Sequence, residues 1–140
     1  MRCDSSRNTA PGSCVLGYLA GALKASRAAG LPTEVLPLID VDGLKAGLDR
    51  YTVLDTRERW EYKHAHVPNA VLLDWTEAWD KAGSVVADRP LAVICGDQVR
   101  SSFVASILLR HGKPASLVFG GMADWLERSY PVEKGLPASV

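Results

Sequence analysis

The sequence is sparing with cysteine and aromatic residues and has no excess charge of either sign; each scarcity removes a class of protein. Three cysteines among 140 residues, Cys3, Cys14 and Cys95, form no C-x-x-C pair and no Cys/His cluster at zinc-ligand spacing. So small and odd a set reads as reduced thiols in a cytoplasmic compartment, with no disulfide framework, no metal and no cofactor expected. Sixteen basic side chains balance sixteen acidic ones, so neither nucleic acid nor an anionic membrane is an expected partner. No apolar run approaches the ~20 residues that span a bilayer. The one segment with secretory-signal character, residues 14–23, has Asp4 ahead of it and Gly17 and Gly21 within it, which favours an amphipathic helix instead.

What is present suits one packed domain: 47% hydrophobic and 23% charged residues build a core without staples. Residues 1–13, with Pro11-Gly12, have the chemistry of a tail. Ser13 can cap a helix over 14–29 that aligns Leu16, Leu19, Ala20 and Leu23 and stops at Gly30 and Pro32. Residues 1–34 thus read as a tail and helical extension, packing on the main domain or on a second copy of the chain as a homodimer. The main domain is expected at 35–135, with a short tail at 136–140. Within it, apolar runs at 35–39, 52–55, 70–73, 91–94 and 116–119 read as strands. Between and after them lie a helix carrying Leu44 and Leu48, capped by Asp40 or Asp42, and helices at 57–63, 77–82, 101–110 and 122–128. This alternation predicts an α/β fold, a central and mostly parallel five-stranded sheet flanked by helices on both faces.

The run Leu91-Ala92-Val93-Ile94 feeds straight into Cys95. Ligands of open α/β sheets bind beyond the carboxyl ends of the strands, which is where this thiol falls. Backbone N–H groups of the following loop, and the positive end of the next helix, favour the thiolate and would equally favour a persulfide. Cys95 is therefore the candidate nucleophile, with Gly96, Asp97, Gln98, Val99, Arg100 and Ser101 as the active-site loop; the plain alternative is a buried, inert thiol. Asp55 and Arg57 read as supporting residues, a strand-end carboxylate and an Arg that pairs with it or with loop backbone.

Three blocks together resemble the rhodanese-like family of single-domain sulfurtransferases over about residues 36–135. They are Leu54-Asp55-Thr56-Arg57-Glu58 with Trp60-Glu61-Tyr62 and His66-Val67-Pro68-Asn69-Ala70; Cys95 to Ser101; and Val118-Phe119-Gly120-Gly121-Met122 with Trp125 and Tyr130-Pro131-Val132. The resemblance implies that Cys95 takes a sulfane sulfur from a small donor such as thiosulfate, or from another persulfide, and passes it to a thiol, free or protein-borne, or to cyanide. Arg100 matches the family's loop arginine, and chemistry gives it two roles: steadying an anionic donor or bracing loop carbonyls. Related cysteine phosphatases place one residue more between Cys and Arg than the four found here, which favours sulfur over phosphate. A non-catalytic binding module on the same fold is the rival from another class.

This sequence departs from the family pattern at several positions. Gln98 stands at a usual glycine, so a positive φ there would strain it, and Asp97 sets a negative charge beside the thiol, which disfavours thiosulfate. Ala65 and Asn69 also replace glycines; asparagine tolerates left-handed backbone. His66 is expected to pin a turn, and Trp75 with Trp79, like Met122 with Trp125, to pack. Gly120-Gly121 would let backbone approach the loop closely. Cys3 reads as a free thiol without a part in the site.

Overall fold

A computed structural model of the chain describes residues 20–33 and 35–136. The chain divides into two compact units, Met1–Val35 and Leu36–Val140. The first contains helix α1 (Ala22–Ala28), which ends at Gly30 with φ +70°. The expected helix at 14–29 is thus present in its second half; its first half, its Ser13 cap, Cys3 and Cys14 lie outside the described residues. Among the described residues no helix is long and apolar enough to cross a membrane.

The second unit holds strands β1 (Leu38–Asp40), β2 (Thr52–Asp55), β3 (Val71–Leu72), β4 (Leu91–Ile94) and β5 (Ala115–Phe119) in one sheet of order β1-β5-β4-β2-β3, every pairing parallel. Helices α2 (Val41–Ala46), α3 (Arg59–His64), α4 (Ala78–Lys81), α5 (Val99–Arg110) and α6 (Gly121–Glu127) supply the covering layers. Period-two alternation divides the core. Ala92 and Ile94 of β4 pack with Val41, Leu44, Tyr62, Met122 and Trp125 from α2, α3 and α6. Leu91 and Val93 pack with Ala78, Val104, Ala105 and Leu108 from α4 and α5. Strand β4 lies at the centre, buried along its whole length, which is why its sequence is a continuous apolar run.

Element boundaries move for identifiable reasons. The first strand starts at Leu38 instead of residue 35, and Pro37 contributes only a carbonyl, which accepts from the Leu117 N–H. Asp40 rather than Asp42 caps α2, accepting from the Gly43 N–H at 2.7 Å; Asp42 is engaged by Arg128 and the Tyr130 hydroxyl. Helix α2 stops at Ala46 and leaves Leu48 in a 3-10 turn. Helix α3 begins at Arg59, two residues later than expected, because Asp55 accepts the Arg57 N–H and Glu58 and Glu61 then form a capping box. The segment expected as one helix at 77–82 is a short α-helix between two 3-10 turns. The helix expected at 101–110 begins two residues earlier, at Val99, and within it Phe103 is exposed, whereas Val104, Ile107 and Leu108 are buried.

Candidate active site

Cys95 follows the last residue of β4 and its side chain is completely buried. Its sulfur accepts a hydrogen bond from the Gln98 N–H at 3.1 Å and lies 3.2 Å from the Ser101 hydroxyl oxygen, which also approaches the Gln98 carbonyl at 3.2 Å. Two donor-capable groups thus converge on one sulfur at the start of a twelve-residue helix whose positive end faces the same way. That arrangement favours negative charge on sulfur, as a thiolate or a persulfide. The loop keeps the path a glycine would take, because Gln98 adopts φ +99° and ψ −17°. This conformation turns its N–H toward Cys95 and strains a residue with a Cβ. Gln98→Gly is therefore expected to stabilise the protein by roughly 0.5–1 kcal/mol, strain relief exceeding glycine's added unfolded-state entropy. Thermal denaturation checks this: a higher melting temperature is expected, and an unchanged or lower one contradicts the strain.

Asp97 is exposed, with one carboxylate oxygen 3.9 Å from the Cys95 sulfur. The same oxygen accepts the Val99 N–H at 3.2 Å, so the helix start that favours the thiolate also fixes a negative charge beside it.

Arg100 pairs with a carboxylate and not with the loop carbonyls. Its guanidinium turns to α3 and grips the Glu61 carboxylate through both terminal nitrogens, the Nη2 bond being 2.9 Å. Glu61 in turn accepts the Glu58 N–H at 3.1 Å. The pair is largely sequestered, with 24% of the Arg100 side chain and 16% of the Glu61 side chain exposed. The hydrogen bond from Arg100 holds the Glu61 carboxyl below its ordinary range, and the same bond raises Arg100 further, with the nearby Cys95 sulfur adding to it. Sequence reasoning placed Glu61 in a motif without giving it a task. The available signal was an unassigned acid on a short helix and a loop arginine without a counter-charge.

Two backbone contacts fix the loop from outside. The N–H groups of Met122 and Ala123 donate to the carbonyls of Cys95 and Gly96 at 2.8 and 3.2 Å. This approach needs Gly121: a Cβ there would lie 2.6 Å from the Cys95 carbonyl oxygen and 2.7 Å from that of Gly96. Just beyond β2, Thr56 donates both its N–H (2.8 Å) and its hydroxyl (3.1 Å) to the Ile94 carbonyl, a contact to which the sequence had assigned no role.

Asp55 and Arg57 pair with each other and do not touch the Cys95 sulfur. Arg57 donates to Asp55 from Nε and, at 2.7 Å, from Nη2, and its Nη2 also donates to the Ala65 carbonyl at 2.6 Å, all of it buried. They staple the chain between β2 and the end of α3. His66 pins the next turn, with Nδ1 2.8 Å from the Tyr62 carbonyl and its ring stacked on that of Tyr62. Asn69 adopts φ +59°, a left-handed conformation as expected. Met122 and Trp125 are buried, whereas Trp75 and Trp79 are half exposed at the rim. Among the described residues no group of His, Cys, Asp or Glu is arranged to hold a metal ion. A groove of about 440 Å³, lined by Val85, Arg89, Pro90 and His111 among others, contains none of the expected site residues.

The family described as rhodanese-like domain matches residues 40–128, which include the whole loop. The putative sulfur carrier protein YrkF of Bacillus subtilis (strain 168) is 30% identical over 94 residues, covering 64% of this chain and 51% of that protein. The HTH-type transcriptional regulator Rv0324 of Mycobacterium tuberculosis is 26% identical over 88 residues, covering 61% and 39% respectively. The chain thus spans about half or less of the length of these curated relatives. Among solved structures, a rhodanese-related protein from Thermoplasma volcanium superposes with a TM-score of 0.66 at 31% identity, covering 69% of this chain and 97% of that one. The rhodanese-like domain of an Anabaena protein gives 0.64 at 26%, covering 76% and 88%.

Proposed function

The chain belongs to the rhodanese-like domain family, and we propose that it is a sulfurtransferase in which Cys95 carries the sulfur. The observation that supports this most is the convergence of the Gln98 N–H and the Ser101 hydroxyl on a single sulfur at the end of the central strand. In the first half-reaction the Cys95 thiolate attacks the outer, sulfane sulfur of a donor. The donor's bond to that sulfur breaks, and the rest of the donor leaves with the electron pair. In the second, an acceptor thiol or cyanide attacks the terminal sulfur and Cys95 leaves as a thiolate. The same N–H and hydroxyl stabilise the thiolate at both ends of the cycle. Because the resting sulfur is fully covered, the exposed side of the loop around Asp97 and Val99 must give way to admit a donor. Reduced thiol chemistry of this kind fits a cytoplasmic location.

The complete burial of Cys95 favours one second reading, a rhodanese-fold binding module without turnover. Phosphoryl transfer is disfavoured by the short loop and by an arginine already committed to Glu61. Cyanolysis separates these readings. Protein preincubated with a persulfide donor and freed of excess donor should release thiocyanate on addition of cyanide, and the Cys95→Ser variant should release none above background. Silence from both proteins favours the binding module. Turnover of a small aryl phosphate that depends on Cys95 would favour phosphatase chemistry.

A further inference from the structure

The charges at the mouth of the site are unusual for one that would receive an anion. Asp97 lies 3.9 Å from the Cys95 sulfur and is fixed there by the Val99 N–H. Glu61 and Glu58 sit at the start of α3, and Arg100, the cation of the loop, is gripped through two nitrogens by Glu61. Glu61 and Arg100 neutralise each other, which leaves Asp97 and Glu58 as the carboxylates of the mouth, with the exposed Arg59 at the start of α3 as the one further cation there among the described residues. Releasing Arg100 toward a donor would strand the Glu61 carboxylate, only 16% exposed, without its partner. Arg57 offers no relief, since Asp55 holds it in the core. Thiosulfate would bring a dianion, and mercaptopyruvate a carboxylate, into this field beside a thiolate.

The surface beside the loop has a second character. Val99 is 71% exposed and Phe103, one turn further along α5, is 46% exposed; Trp60 is 69% exposed, its indole N–H donating to the Glu58 carboxylate at 2.9 Å. Apolar side chains next to carboxylates at the entrance to a nucleophile match a polypeptide that carries aliphatic and basic groups.

We propose that the sulfur donor is a cysteine persulfide on a polypeptide segment with basic residues beside the persulfide, docked across Val99, Phe103 and Trp60, and not a small anionic sulfur compound. The proposal rests on the sulfurtransferase reading and specifies its donor. The Cys95 thiolate attacks the outer sulfur of the donor R–S–SH; the donor's S–S bond breaks, R–S⁻ leaves with the electron pair, and Cys95 becomes Cys95–S–SH. No external oxidant or reductant is required.

The test uses the full chain and four donors: thiosulfate, 3-mercaptopyruvate, and two synthetic cysteine-persulfide peptides identical except for lysines or glutamates flanking the cysteine. Loading of Cys95 is followed by intact-mass spectrometry. The lysine-flanked peptide is expected to load Cys95 at least about tenfold faster than the glutamate-flanked peptide and than either small anion, its advantage shrinking as salt rises. Asp97→Asn, which keeps an oxygen for the Val99 N–H, should narrow the gap between the two peptides severalfold. Equal loading by the two peptides, or thiosulfate loading as fast as the lysine peptide, overturns the proposal while leaving the sulfurtransferase reading intact. Failure of all four donors overturns both.

Discussion

Replacing Gly121 by alanine is expected to cost about 2–4 kcal/mol of stability and to abolish sulfur loading at Cys95. Position 121 has φ +60°, which alone strains an alanine by roughly 1–2 kcal/mol. The larger part is steric. The new methyl would lie 2.6 Å from the carbonyl oxygen of Cys95 and 2.7 Å from that of Gly96, and both neighbours are backbone. Relief therefore means moving the loop or withdrawing α6, and either movement breaks the Met122 N–H bond to the Cys95 carbonyl. The Gln98 N–H and Ser101 hydroxyl would then no longer converge on the sulfur. Denaturant melts give the stability, and mass spectrometry of donor-treated protein gives the loading. A variant that melts like the parent and loads normally would show that the close approach of α6 does not position the loop.

Asp55→Asn is the second large effect, about 3–5 kcal/mol of destabilisation. The carboxylate is wholly buried and Arg57 nearly so. Removing the negative charge leaves a guanidinium in the core with amide and carbonyl oxygens but no counter-charge. The loss should be read against a double variant, Asp55→Asn with Arg57→Met, which takes away the stranded cation as well and should recover part of the stability. Equal stability of Asp55→Asn and parent would remove the pair from the account of how the β2–α3 connection is held. The pair does not touch the Cys95 sulfur, so loading per folded molecule should survive where the variant remains folded.

The parts of the fold that the sequence discloses are those where one local signal decides. The continuous apolar run at 91–94 marks a strand buried on both faces, because no alternation is needed where there is no solvent side. The helix expected at 101–110 was legible from the i, i+4 spacing of its apolar residues, though it begins at Val99 and leaves Phe103 exposed. Periodicity alone does not say how wide a stripe the sheet covers, and the residues beside the loop stay open. A helix start was displaced where a side chain overrides the backbone pattern, as Asp55 does by capturing the Arg57 N–H and delaying α3.

In the site, Cys95, its loop and the positive φ at residue 98 could be anticipated from strand–loop–helix order and from the missing glycine. The partner of Arg100 could not. Glu61 is 39 residues away in the chain, and only the adjacency of β2 and β4 brings the start of α3 alongside the loop. Long-range ion pairs of this kind have no local signature, and the sequence therefore gave the arginine a donor or loop carbonyls as partners and not Glu61. Thr56 was obscure for the same reason, since its acceptor is the carbonyl of Ile94 on the neighbouring strand.

Sulfur bound covalently to Cys95 is the central requirement of the proposed chemistry. Its most direct measurement is the intact mass of the full chain after incubation with a persulfide donor and removal of excess donor, followed by peptide mapping. The expected result is a species about 32 Da heavier, reversed by a thiol reductant, mapped to the peptide containing Cys95 and missing from Cys95→Ser. A protein that stays at its unmodified mass with every donor, or one whose added sulfur persists in Cys95→Ser, would contradict it.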